Sequence, residues 1–273
     1  MIQEKPLEQL RVLNTRPVHQ ANALSNALKA LGAQVLSLPA IEIKAIEQSV
    51  DTRLEKASQA GWMTRLHGFD YVIFISPNAV EYGTALILAQ GNIPDKLMLV
   101  TIGKASADKL FQCTGRKPDI FPVEDFSSEA LLALPAMHQQ TVTGKHILII
   151  RGHGGREYLA DTLRQRGANV EYAEVYQRCL PQVDSITLEN IWGFDPPHIV
   201  TITSAEGLKN LLQLSGPRYR HLLLNTPLVV VRQSMVPLAR DLGFINDIMV
   251  AGKASNQALI DAVIQWQSAF ASR

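Results

Sequence analysis

The chain has 273 residues, a formal net charge of +1 and 47% hydrophobic residues. That is enough for two ordinary domains with large cores, and too apolar for disorder. Acidic and basic residues are interspersed, which removes any global electrostatic case for a nucleic-acid partner or a membrane surface, so an anionic ligand has to be held locally.

The N-terminal residues MIQEKPLEQLR carry Glu4 and Glu8 and lack the apolar core of a signal peptide, and no later window approaches the run of about 18 apolar residues of a membrane helix. The two cysteines, Cys113 and Cys179, form no CxxC spacing and fit structural thiols in a reducing, cytoplasmic compartment.

In chain order, residues 11–43 (RVLNTRPVHQANALSNALKALGAQVLSLPAIEI) read as strand, turn, helix and strand, with Gly32 at the helix stop. An added helix is expected within residues 52–67, carrying Leu54, Ala57 and Trp62. Residues 69–80 (FDYVIFISPNAV) form a strand whose end, at Ser76 and Asn78, opens a helix. Residues 97–115 repeat that order, with Lys104 and Ser106 at the turn. The best-formed unit is 145–178: a strand over 146–150 ending at Arg151, a glycine-rich turn, a helix with Leu159 and Leu163, a stop at Gly167, and an extended run through Val170, Tyr172 and Val175. Residues 197–208 give another strand, with Thr203 and Ser204 at the following helix start. Alternating strands and helices of this kind imply parallel sheets.

The pattern occurs twice. Residues 11–43 match 146–178 of that unit without gaps, Arg16 with Arg151 and Gly32 with Gly167, at an offset of 135 (151 − 16). Residues 69–80 match 197–208, Ser76 with Ser204, at an offset of 128 (204 − 76), and that offset persists through 97–115 and 120–131. An internal duplication into two similar α/β domains follows. The runs 33–46 and 168–181 are long for strands and are expected to cross between domains, so that 1–38 and 178–273 make one discontinuous domain and 39–177 an inserted one.

Competing chemistries have little support. Gly152, Gly154 and Gly155 suggest a dinucleotide loop with Glu171 or Glu174 as the ribose acid, but Glu157 replaces the third glycine of GxGxxG. The seven histidines show no HExxH spacing, and no GxSxG elbow or P-loop occurs.

The succession TRP (15–17), SPNAV (76–80), IGKASADKL (102–110), RGHGGREYLADTLRQRGANVEYAEVY (151–176), TSAEGL (203–208) and VAGKASNQALIDA (250–262) resembles the uroporphyrinogen-III synthase family over nearly the whole chain. The resemblance implies two flavodoxin-like domains joined by a two-stranded bridge, with the active site in the cleft between them. It also implies a monomer that needs no metal or organic cofactor. The implied reaction closes the linear tetrapyrrole hydroxymethylbilane to uroporphyrinogen III, with loss of water and inversion of the last pyrrole ring.

A substrate with eight carboxylates calls for many donors, and helix N-termini supply them without a large net charge. The candidate substrate-binding residues are therefore Arg16, Ser76, Asn78, Lys104, Ser106, Arg151, Gly152, Thr203 and Ser204, although Ser76, Thr203 and Ser204 also suit plain N-caps. Ser106 stands where the family usually has threonine. Arg16 and Arg151 suit bidentate carboxylate contacts, while Arg156, expected within the helix that follows, more simply pairs with an acidic neighbour. Tyr176 matches the family tyrosine that assists departure of the hydroxymethyl oxygen; a phenol is protonated at neutral pH and can donate to leaving water. Its alternative is a strand tyrosine that packs its ring and hydrogen-bonds once. The other class of reading is a non-catalytic two-lobed protein that binds an organic anion.

Overall fold

A computed structural model describes residues 5–46, 57–253 and 255–271. In chain order the elements are β1 (Arg11–Asn14), α1 (Val18–Ala30), β2 (Gln34–Ser37), β3 (Glu42–Ala45), α2 (Ala57–Thr64), β4 (Tyr71–Phe74), α3 (Pro77–Gln90), β5 (Met98–Thr101), α4 (Lys104–Thr114), α5 (Ser128–Ala133) and α6 (Gln139–Val142). They continue with β6 (His146–Gly152), α7 (Tyr158–Gln165), β7 (Asn169–Cys179), α8 (Ser185–Trp192), β8 (Ile199–Ile202), α9 (Ala205–Leu224), β9 (Leu228–Val230), α10 (Met235–Asp241), β10 (Ile248–Val250) and α11 (Asn256–Ala271).

The chain separates into two compact units, Met1–Glu42 with Cys179–Arg273, and Ile43–Arg178. The first contains a sheet in the order β10-β9-β8-β1-β2, the second a sheet in the order β3-β7-β6-β4-β5. The pairings of β1 with β2 and β8, of β9 with β8 and β10, of β4 with β5 and β6, and of β6 with β7 are all parallel. The mixed α/β architecture with parallel sheets is the one the strand and helix alternation implies.

Parallel strands covered by helices on both faces must be apolar at almost every position. That is why RVLN, YVIF and IVTI are buried throughout. In the second unit the period-2 alternation divides the strand residues between two cores. Leu148 and Ile150 pack with Trp62, Phe74 and Val80 on one face, and Ile147 and Ile149 with Leu159 and Leu163 on the other. The first unit has one continuous cluster that includes Val12, Leu28, Trp192, Leu211 and Val263.

Three expectations need correction. The strand expected to end before Arg151 runs on to Gly152, because Glu174 and Tyr176 of β7 lie across from Arg151 and Gly152. The extended run 33–46 passes from one sheet to the other, as expected, but as two separate strands, β2 and β3, whereas β7 is one continuous strand of 11 residues. Arg156 precedes α7 rather than lying within it. Of the helix expected in 52–67, α2 forms part and Trp62 is fully buried; Thr52 and Leu54 lie outside the described residues, as does Ala254 of the VAGKAS motif.

At the end of β1, the fully buried Asn14 ties strand to helix and orders the turn that follows. Its Nδ2 donates to Ala21 O at 3.2 Å and to Ser25 Oγ at 2.9 Å, and its Oδ1 accepts from the Arg16 N–H at 3.2 Å. Asn14→Ala should lower stability by about 1–3 kcal/mol, the range for leaving buried partners unmade. A fall in the urea unfolding midpoint of the full chain measures it; an unchanged midpoint would deny the amide its structural role.

Candidate active site

In a sheet of parallel strands all carboxyl ends lie along one edge. Where successive strands are added in opposite directions from a starting point, the loops part and leave a crevice that ligands favour. That point falls between β1 and β8 in the first unit and between β4 and β6 in the second.

In the first unit the crevice is laced by Thr15, whose buried Oγ1 donates to Thr201 O at 2.7 Å. Arg16 follows, with Nη1 donating to Asn256 Oδ1 at the start of α11. Burial lowers its pKa from the ordinary guanidinium value. Across the crevice, Thr203 and Ser204 follow β8, and Ser204 caps α9 by accepting from the Gly207 N–H at 2.9 Å. Arg16, Thr203 and Ser204 thus stand at the ends of two adjacent strands.

In the second unit Ser76, Gly152 and Tyr176 come together. Ser76 caps α3, its Oγ accepting from the Ala79 N–H at 3.0 Å, and the same oxygen lies 3.1 Å from the Tyr176 hydroxyl. Tyr176 reaches it through an irregularity in β7. Arg151 pairs with Glu174 but Gly152 pairs with Tyr176, so Val175 is an extra residue on β7. Such a bulge re-aims the next side chain. Tyr176 consequently packs with Ala173 and Val175 in the core beneath α3 instead of alternating away from them, and it is 3% exposed. Its ring stacks on Tyr82 at 5.9 Å, and Tyr82 donates to Ile43 O at 3.2 Å. Burial, assisted by Glu81, raises the Tyr82 pKa. A Cβ at position 152 would lie 2.6 Å from two atoms of the Tyr176 ring. Only glycine leaves room for it.

Asn78 is nine-tenths buried in the first turn of α3. Lys104 is exposed and Ser106 buried in the first turn of α4, after β5, the strand beside β4. Gly103 provides α4 with no side-chain cap, so its first N–H groups stay available for an anion.

Arg151 has a different place from the one its sequence suggests. The residue is 7% exposed, and its guanidinium donates to Glu157 at 2.7 Å and to Glu174 at 3.0 and 3.2 Å and lies 3.8 Å from the Tyr172 ring centre. Burial works against its charge, and the bonds to Glu157 and Glu174 more than offset that, so its pKa rises. Burial pushes Tyr172 up to about 12, with help from its hydrogen bond to Glu157. Burial also raises Glu174, but His153, Arg151 and the Gly154 N–H outweigh it and leave the carboxyl below its ordinary value. The glycine turn therefore already holds an anion: the Glu174 carboxylate accepts from the Gly154 N–H at 3.2 Å, where a phosphate would sit in a dinucleotide loop. Among the described residues no cluster of three or more His, Cys, Asp or Glu is placed to hold a metal, and no helix is long and apolar enough to cross a membrane.

A family model described as uroporphyrinogen-III synthase HemD matches residues 22–261. The chain belongs to the uroporphyrinogen-III synthase family. It is 37% identical over 257 residues to a uroporphyrinogen-III synthase of Salmonella typhimurium, with 93% of this chain and all 100% of that protein covered. It is 34% identical over 259 residues to the Escherichia coli K12 protein of the same name, with coverages of 93% and 100%. The fold is similar to that of uroporphyrinogen-III synthetase from Helicobacter pylori 26695, with a TM-score of 0.57 at 15% identity over 94% of this chain and 100% of that one. It is also similar to a mutant uroporphyrinogen III synthase from the extremely thermophilic bacterium Thermus thermophilus, with a TM-score of 0.55 at 14% identity over 97% and 100%. At those identities the structural likeness concerns fold alone.

Sequence reasoning missed Asn14, Tyr82 and Asn256, and did not single out Glu157 and Glu174 as the partners of Arg151. One signal was available for Tyr82, which follows Ser76 by six residues on the helix that Ser76 caps. None was available for Asn256, whose partner Arg16 is 240 residues away.

Gly152→Ala should push the Tyr176 ring from its seat and break its bond to Ser76; near-ultraviolet circular dichroism of the tyrosines reads this, and an unchanged spectrum would refute the packing argument. Acid stability gives a second check. A carboxyl with a folded pKa below the ordinary 4.5 contributes stability that is complete above 4.5 and is lost as pH falls through the folded value. Glu174→Gln should therefore show a smaller drop in thermal midpoint than the unaltered chain once pH falls below 4.5; parallel curves would remove Glu174 from the account.

Proposed function

We propose that the chain cyclises hydroxymethylbilane to uroporphyrinogen III, a lyase reaction of tetrapyrrole and heme biosynthesis that releases water and inverts the terminal pyrrole ring. Family membership supports the reaction, and the buried Tyr176 hydroxyl held against Ser76 Oγ at 3.1 Å, at the crevice of its sheet, is the observation that carries the chemistry.

Tyr176 is the general acid in this reading. Its O–H donates to the departing hydroxymethyl oxygen, water leaves, and the pyrrole supplies the electrons that expel it. Ser76 Oγ, itself fixed by the Ala79 N–H, positions the phenol. Arg16, Asn78, Lys104, Ser106, Thr203 and Ser204 bind the carboxylates together with the first N–H groups of α3, α4 and α9. Each hydrogen bond to a charged group contributes about 1.5–3 kcal/mol, so several suffice on a chain whose net charge is only +1. Arg151 and Gly152 serve differently: Gly152 makes room for Tyr176, and Arg151 fixes β6 to β7 through Glu174. Most of the task is conformational, because the enzyme must hold a flexible chain so that inverted closure outruns simple head-to-tail closure.

The same reading takes the two compact units as flavodoxin-like domains of a duplicated fold, joined where the chain passes between them at 42–43 and 178–179. In support, β1 and β6, β2 and β7, β8 and β4, and β9 and β5 correspond by sequence offset and hold corresponding places in the two sheet orders. An isolated parallel bridge of Val100 to Ile120 stands where the first sheet has β10. A cytoplasmic monomer acting on a small molecule, without metal or organic cofactor, completes the proposal.

Incubation of the purified chain with hydroxymethylbilane, followed by resolution of the isomers, tests it: type III product is expected, and type I alone, as from the substrate left to itself, would refute it. Tyr176→Phe should lower the rate by about 10²–10⁴-fold while the fold survives. An unchanged rate would return Tyr176 to packing.

A further inference from the structure

Two cavities lie along the carboxyl edge of the sheet in the second unit. One, of about 350 Å³, is bordered by Arg151, Arg156, Glu129 and Tyr172; the other, of about 190 Å³, by Ser76, Lys104 and Ser106. Both are lined by Ile75, Ile102 and Phe126. Those shared residues make the two cavities neighbouring parts of one trough, with Phe126 in the wall common to both.

Phe126 is 53% exposed, so a face of its ring is open to a ligand in the trough. Its seat is built for it. A Cβ on Gly103 would lie 2.8 Å from Phe126 Cβ and 2.9 Å from Cγ, so the chain omits a side chain there to bring the ring over the start of α4. The lining of the larger cavity is also apolar at Ile149, Leu159 and Ala160. At one end of the trough Arg156 donates to Glu129 at 2.7 Å, and both side chains are open to solvent, at 74% and 47%. An exposed pair of this kind is weak and exchanges readily. Arg151, by contrast, is buried and committed to Glu157 and Glu174. The larger cavity lies at the low end of the roughly 300–1,000 Å³ usual for small-molecule sites, which suits a single ring and its arms rather than a whole tetrapyrrole.

We propose that this trough seats one pyrrole ring of the open-chain tetrapyrrole, stacked against Phe126, with Arg156 taking an acetate or propionate carboxylate of that ring in place of Glu129. The inference rests on the cyclisation reading above. It gives Arg156 a ligand and Glu129 the role of a competitor that the ligand displaces. Planar guanidinium suits that exchange, since one carboxylate replaces another in the same geometry.

Porphobilinogen, a single pyrrole bearing one acetate and one propionate, is the probe, titrated calorimetrically into the full chain at low ionic strength. Saturable binding is expected. Arg156→Gln should weaken it about tenfold or more, since a charge-assisted hydrogen bond is lost, and Phe126→Ala should weaken it as well. Glu129→Gln should tighten it by freeing Arg156. The opposite signs at two surface positions exclude a general loss of structure. Absence of binding, or weakening by Glu129→Gln, would overturn the subsite. Type III cyclisation by the unaltered chain is scored separately, so a chain that cyclises yet ignores porphobilinogen sinks this inference alone.

Discussion

One extra residue in β7 organises the second unit. With Val175 unmatched opposite β6, Tyr176 turns onto the face that α3 covers, and its ring comes to rest against the bare backbone of Gly152. Three further features depend on that turn: the hydroxyl reaches Ser76, the ring stacks on Tyr82, and the Tyr176 carbonyl accepts from the His153 N–H at 2.7 Å. A bulge is a local break in regular pairing, and here it converts a strand residue into a fixed group at the edge of the sheet.

Charge is handled in the same local manner. A polyanionic ligand would ordinarily suggest a basic surface, yet the net charge is +1. The donors that stand at the sheet edges are instead backbone N–H groups at helix starts, hydroxyls, and a few cations. Their positive ends are fixed by the helices themselves and need no counter-charge elsewhere. Caps limit this supply, since Ser76 and Ser204 each satisfy one N–H of their own helix. The uncapped start of α4 keeps more of its donors.

Most of the α/β architecture was legible because strands buried on both faces leave an almost unbroken apolar run in the sequence, as YVIF and HILII do. The turns bearing Ser76, Lys104 and Ser204 were legible too, since a strand end followed by a cap residue has a local signature. The bulge was not. An extra residue exists only relative to a partner strand, and nothing within NVEYAEVYQRC marks it. Glu171 and Glu174 also look alike in sequence, but the sheet sends Glu171 to Arg65 at 2.8 Å and Glu174 to Arg151. Arg151 accordingly reads as a ligand-binding loop residue in the sequence and is a buried strand residue in the fold.

The carboxylate of Glu174 in the glycine turn bears on what this scaffold can become. A turn that already contains its own anion is closed to phosphate, and clearing it by substitution at Glu174 would leave the buried Arg151 with Glu157 as its remaining carboxylate partner. Restoring the third glycine at Glu157 would remove the second carboxylate from the same guanidinium. Conversion to a nucleotide-binding loop therefore requires changing Arg151, Glu157 and Glu174 together. The local likeness to a dinucleotide fingerprint is a resemblance of spelling, since the ion pairs of Arg151 fill the turn that the cofactor would need.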